Sequence, residues 1–237
     1  MAEELGDKNR IAINLGNIGI VYDEQAEAHP NPSKKEGLFN KALDYYFRAL
    51  KMKEELGDKN GIAITLGNIG IVYEEQANAV PDNVGANSAE RDRLFNKALD
   101  YYFRALKLKE ELGDKNGIAI TLGNIGSLYA EQAKNLPSLK LRLAKYKEAE
   151  EYLLNALALD KEIGAQNDER QDEELITNLY EKTNRYKEAL EHYKKAMVLK
   201  DTIFSEEKDK ELTRKEMNYE FENKQSAQQP EQEKKDE

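Results

Sequence analysis

The sequence predicts an all-α solenoid of four helical hairpins, and three observations carry that prediction. The string EELGDKNGIAITLGNIG runs from Glu54 to Gly70 and again, unchanged, from Glu110 to Gly126, with a near copy from Glu3 to Gly19. A second block, FNKALDYYFRALK, is identical from Phe39 to Lys51 and from Phe95 to Lys107. Four marker tyrosines, Tyr22, Tyr73, Tyr129 and Tyr180, each close a helix-period segment such as LGNIGIVY. Self-similarity of this kind marks a stacked array, in which each unit buries its apolar face against its neighbours.

The first helix of each unit is the segment ending at the marker Tyr. The second carries a small–large–small pattern: Ala42, Tyr46, Ala49; Ala98, Tyr102, Ala105; Ala149, Leu153, Ala156; Ala189, Tyr193, Ala196. Spacings of four and three place each triplet on one helix face, where alanines allow close approach and the large residue fills the gap. At the junction KEELGDKNG, Gly57 and Gly113 suit the left-handed position that ends a helix, and Asp58 and Asp114 suit the cap of the next. The distance from Ala49 to Tyr73, Ala105 to Tyr129 and Ala156 to Tyr180 is 24 residues in each case, enough to lengthen the second helix by about one turn.

The marker tyrosines are 51, 56 and 51 residues apart. The excess falls between the two helices of units one to three, at 26–37, 77–93 and 133–144, around Pro30, Pro32, Pro81 and Pro137. These read as long inserted inter-helix loops, the third beginning a helix soon after Pro137. The expected boundaries are 1–8 as the end of a preceding repeat helix, then units at about 9–57, 58–113, 114–164 and 165–204. Residues 205–224 follow as a C-terminal capping or linker helix started at Ser205, and 225–237 as a disordered polar tail.

The pattern resembles the tetratricopeptide repeat (TPR). The matches in unit one are Leu15, Ile18, Gly19, Tyr22, Ala42, Tyr46 and Ala49; in unit four Tyr180, Tyr186, Ala189, Tyr193 and Ala196 keep the family's spacing throughout. The resemblance covers roughly Asn9 to Lys200. It implies a right-handed α-solenoid whose first helices line a concave groove that binds an extended peptide or a partner helix.

Carried onto this sequence, the groove positions are Asn17, Asn68 and Asn124, five before each marker Tyr, with Ile13, Ile64 and Ile120 earlier on the same face. Glu24, Glu75 and Glu131 follow the Tyr, beside Asp23 and Glu74. Asn is a mediocre helix former, and its amide both donates and accepts, so an Asn ladder could hold a ligand backbone without demanding a sequence. Unit four has Leu175 at that offset and Asn178 three residues later. Of the paired glycines, Gly19, Gly70 and Gly126 fall at the family's packing position; Gly16, Gly67 and Gly123 leave room for a ligand. The carboxylates favour a neutral or basic peptide or protein partner.

Composition bounds the alternatives. The formal net charge is −10, from 36 basic and 46 acidic residues, so no nucleic-acid partner is expected. There is no Cys, hence no disulfide or thiolate chemistry. No apolar run reaches the length of a membrane span, and no membrane contact is expected of this segment. His29 and His192 lack the spacing of a metal site, and no nucleotide or nucleophile motif occurs. No catalytic residue, metal or cofactor is therefore expected, and the chain is read as a non-enzyme.

After Lys200, DTIFSEEKDKELTRKEMNYEFENKQ looks like the exit from the repeats in bacterial TPR-containing sensors, where a helical linker leads to a membrane span and a signalling output. The expectation is a peptide-binding scaffold, the input or interaction segment of a bacterial signal-transduction protein cut from a longer chain. It would be cytoplasmic as it stands, or periplasmic if cut from a membrane sensor. The alternative is a structural module that self-associates, as a homodimer, through the C-terminal helix.

Overall fold

A computed structural model describes residues 2–81 and 86–233, with side chains for 6–81 and 88–219. Among these residues there are eight α-helices and no strand: α1 (Ala2–Ala28), α2 (Pro32–Leu56), α3 (Lys59–Ala79), α4 (Ala86–Leu112), α5 (Lys115–Lys134), α6 (Leu139–Ile163), α7 (Gln166–Lys182) and α8 (Tyr186–Glu233). They form four antiparallel hairpins, α1/α2 to α7/α8, each packed on the next. The first helices also meet directly, α1 with α3 and α5 with α7. The arrangement is the expected all-α solenoid.

The junctions form as the repeated string predicts. Gly57, Gly113 and Gly164 adopt φ of 68°, 68° and 71°, a region that costs Gly little. The Asp58 carboxylate accepts from Gly61 N at 2.9 Å, and Asp114 repeats this with Gly117 N at 3.0 Å. A lysine at the end of each preceding helix locks the junction. Lys53 Nζ donates to Thr65 Oγ1 at 2.9 Å and Lys109 Nζ to Thr121 Oγ1 at 2.9 Å, both buried. Ion pairs Lys8–Glu55, Lys59–Glu111 and Lys115–Glu162 recur at matching positions. These are exposed and each contributes at most about 1 kcal/mol.

The core follows the small–large–small pattern. Ala42, Ala49, Ala98, Ala105, Ala149, Ala156 and Ala196 are fully buried, as are Tyr46, Tyr102 and Leu153. Gly19, Gly70 and Gly126 lie against these large residues: a Cβ on Gly70 would sit 2.5 Å from the Tyr102 ring. That ring is buried and its hydroxyl donates to Glu74 at 2.7 Å, so it cannot swing away. Gly70→Ala should therefore cost about 2 kcal/mol by denaturant titration, even though Ala is the better helix former by up to about 1 kcal/mol. Gly67→Ala is the control. Its Cβ would meet nothing within 4 Å, and it should gain stability.

The inserted segments are not long loops. Most of their residues extend the flanking helices, leaving short turns at 29–31 and 135–138. Pro32 opens α2 just after Asn31, whose side chain accepts from Lys34 N at 3.1 Å; Ser138 caps α6 through Leu141 N at 3.2 Å. Pro at the first helical position has no missing bond to regret, and the alanines, lysines and glutamates around it are good helix formers. Residues 82–85 of the second insertion lie outside the described residues.

Both ends differ from expectation. Gly6 lies inside a continuous α1, whereas its copies Gly57 and Gly113 end helices. The segment 205–224 is not a separate element: α8 runs unbroken through Ser205 to Glu233, across the first part of the expected tail. The sequence between Lys200 and Gln225 holds no Gly or Pro, so nothing stops the helix. Residues 204–219 are exposed throughout, so this stretch does not cover the end of the stack.

Candidate functional site

The C-terminal halves of α1, α3 and α5 bring carboxyl groups of successive units together. Asp23 on α1 is within hydrogen-bonding reach of Glu75 on α3, and Glu27 also reaches Glu75. One unit along, Glu74 on α3 lies near Glu131 on α5. Residues one and two places after the marker Tyr thus approach each other across the first two junctions between first helices. Burial, then neighbouring carboxylates, raises both Asp23 and Glu75 above the ordinary range. Burial raises Glu74 to about 7, partly offset by the hydroxyl of Tyr102. Like-charged carboxyls this close cannot all ionise together. Asp23 Oδ1 and Glu75 Oε2 are buried and receive no donor from another protein group.

The other expected groove residues are placed as follows. Ile13, Ile64 and Ile120 are exposed on α1, α3 and α5. Asn17 is exposed, Asn68 and Asn124 are half-buried, and Asn178 is exposed on α7. The Tyr46 hydroxyl is within hydrogen-bonding reach of Asn68, so that amide serves the α2–α3 contact as well as the groove. Glu24 is exposed, and its neighbour Asp23 makes the inter-unit contact instead. Gly16 and Gly67 have open space where a side chain would be; Gly123 faces Asp172 Oδ1, 3.3 Å from its would-be Cβ. The acidic row stops at unit four, where Lys182 takes the position of Glu75 and Glu131.

One polar cluster escaped the sequence reading. In register with Lys53 and Lys109 stands Asp160, and in register with Thr65 and Thr121 stands Asp172. Both are buried, and their carboxyls are within reach of each other. Burial, and then Asp160, raises Asp172 to about 8. The signal was available: aligning the three junction strings exposes the change from Lys and Thr to two acids.

Both histidines have structural partners. His29 Nδ1 accepts from Asn31 N at 3.1 Å in the first turn. His192 contacts Glu173, which also receives Lys161 Nζ at 2.9 Å, and its ring meets Tyr180 edge-on. It occupies the place that Tyr45, Tyr101 and Tyr152 fill beside Tyr22, Tyr73 and Tyr129. Among the described residues, no group of three or more His, Asp or Glu is arranged to hold a metal. No described helix is long and apolar enough to cross a membrane.

A family model described as tetratricopeptide repeat matches residues 174–210. Residues 174–210 are thus similar to a tetratricopeptide repeat. The match falls on unit four, the one unit without an insertion. Among solved structures, BtubC (BKLC) from P. vanneervenii aligns with TM-score 0.53 and 18% identity over 78% of this chain. The alignment spans 64% of BtubC, and at this identity it speaks for the fold alone. A de novo designed helical repeat protein, DHR64, aligns with TM-score 0.40 and 16% identity over 85% of this chain and 98% of its own. The DHF119 filament aligns with TM-score 0.39 and 15% identity over 84% and 93%. No curated protein matches the sequence. TPR repeats generally mediate protein–protein interaction, and such helical repeats are typically scaffolds without catalysis.

Proposed function

We propose that the inner face of units one to three binds a basic or neutral peptide segment of a partner protein. The observation that carries this reading is the acidic row Asp23, Glu75, Glu74 and Glu131, in which the half-buried carboxyls of Asp23, Glu75 and Glu74 hold raised pKa values. A lysine or arginine side chain laid along the row would let them ionise. Asn17, Asn68 and Asn124 on the same three helices would hold the ligand backbone, and Gly16 and Gly67 would let it approach. Asn178, on unit four, would serve the end of the groove. The test is anisotropy titration with a labelled lysine-containing peptide. Asn17→Ala with Asn124→Ala, which spares the Asn68 contact with Tyr46, should weaken capture about tenfold, a loss of about 1.4 kcal/mol, while the melting temperature stays nearly unchanged. A large loss of stability with binding intact would overturn the role. The likeness of the Lys200–Gln225 exit to bacterial sensors supports placing this groove in the input segment of a signal-transduction protein; neighbouring sequence of the parent chain that encodes no signalling output would refute that placement.

A second reading, self-association through the C-terminal helix, is favoured by one observation. On α8, Leu190, Tyr193 and Val198 stand exposed, although Leu190 and Tyr193 occupy positions that units one and two bury.

A further inference from the structure

The two ends of the array expose the two halves of an interface that the chain already uses inside itself. On α1, Ile18 and Val21 are 38% and 49% exposed; their counterparts Ile69 and Val72 on α3, and Ile125 and Leu128 on α5, are all fully buried at 0%. On α8, Tyr186, Leu190 and Tyr193 are 65%, 52% and 49% exposed, against 1%, 7% and 1% for Phe39, Leu43 and Tyr46 on α2. The difference has one cause. An internal second helix is covered by the first helix of the next hairpin, as α2 is by α3, and among the described residues no helix covers α8 or the corresponding face of α1 in this way.

The polar register agrees in part, with Arg10 on α1 standing where Gly61 leaves room for the Lys53 stem. Lys53 on α2 reaches Thr65 on α3. Their counterparts at the ends are Lys200 on α8 and Asn14 on α1, both exposed. The Asn14 amide oxygen can accept from an ammonium as the Thr65 hydroxyl does.

We infer that a second copy of this chain is the partner of these faces, with α8 of one copy docking against α1 of the next as α2 docks against α3. This rests on the self-association reading and specifies its geometry. The contact is head-to-tail, so each copy keeps one free face at either end, and copies add in an open row unless the array's own rotation closes a ring. Each chain carries a formal charge of −10, so association strengthens as salt screens that repulsion.

The experiment is sedimentation of the full 237-residue chain across a concentration series, with two variants placed at exposed sites so that the fold is spared. Val21→Glu kills the α1 face and Leu190→Glu kills the α8 face; circular dichroism melts should match the parent. The parent should grow past two chains as concentration rises. Each variant alone should stay monomeric, at least about tenfold weaker in association. Mixed together, they should form a particle of two chains and stop there, because one good α8 face meets one good α1 face. If Val21→Glu still self-associates while Leu190→Glu does not, α8 pairs symmetrically: the head-to-tail contact is overturned and the self-association reading survives. A parent that remains monomeric at every concentration and salt overturns both.

Discussion

Replacing Asp160, Ala165, Asp168 and Asp172 together by Lys, Asp, Gly and Thr should stabilise the chain by about 2–3 kcal/mol at pH 8, a rise in melting temperature of roughly 5–10 °C. The four positions match Lys53, Asp58, Gly61 and Thr65, and again Lys109, Asp114, Gly117 and Thr121. They must change as a set. The Lys53 stem passes close to Gly61, where a Cβ would lie 2.9 Å from it and 2.1 Å from the Asp58 carboxylate. A lysine at 160 beside Asp168 would meet the side chain that Gly61 lacks. Ala165 already has the backbone of a cap, with φ −79° and ψ 72° against −76° and 81° for Asp58, but no side chain to accept a bond. An Asp there supplies about 1 kcal/mol, and removing the buried acid pair supplies the rest.

The gain should depend on pH. Asp172 is raised from 3.8 to about 8 by burial, then by Asp160, with Asp168 and Glu173 on its own helix adding to the effect. Lys161 on α6 and His192 on α8 face the neighbouring Glu173, and on α5 the uncharged Gly123 faces Asp172. A raised carboxyl favours the fold below its unfolded value and loses that contribution as pH climbs through its folded value. The natural junction is thus firmest near pH 4 and weakens toward pH 8, so the replacement should help least in acid and most in base. Equal gains at pH 4.5 and pH 8, by thermal melts, would show that the pair does not carry the effect.

Raising the pH from 5 to 8 should tighten binding of a lysine-containing peptide by about tenfold while lowering the melting temperature of the free chain. The same sign rule applies in the groove. Glu74 is raised from 4.5 to about 7, and Asp23 and Glu75 are raised as well. Across that window the free fold gives up protons it holds more tightly than the unfolded chain does, so stability falls. The groove gains charge over the same interval, so a cation binds better. Glu74→Gln, at a carboxyl that ionises within this window, should remove much of the gain in binding. Binding that is flat with pH, or that weakens, would count against a cationic ligand.

The hairpins were legible because they are set by a period that survives insertion: the Ala and Tyr triplets kept their spacing within each second helix. The insertions misled because Pro30, Pro32, Pro81 and Pro137 are turn signals that say where a helix starts or stops, not how long the gap is. Pro32 opens a helix instead of breaking one. The end of α8 was misjudged for a related reason. Ser205 with two acids after it is a plausible cap, but a cap needs a preceding break, and the chain offers none. In the groove, the carboxylates could be placed on first helices from the marker Tyr, but which ones meet depends on the offset between neighbouring helices. Asp23 pairs with Glu75 because adjacent first helices are shifted by one residue, and only packing sets that shift.

The unbroken passage of α8 out of unit four has a mechanical consequence. A helix advances about 1.5 Å and turns about 100° with each residue, so α8 carries both a distance and an angular phase away from the array. A change in how unit four sits on unit three would swing the far end of α8 as a lever, and one inserted residue beyond Phe204 would rotate that end by more than a quarter turn while leaving the repeats untouched.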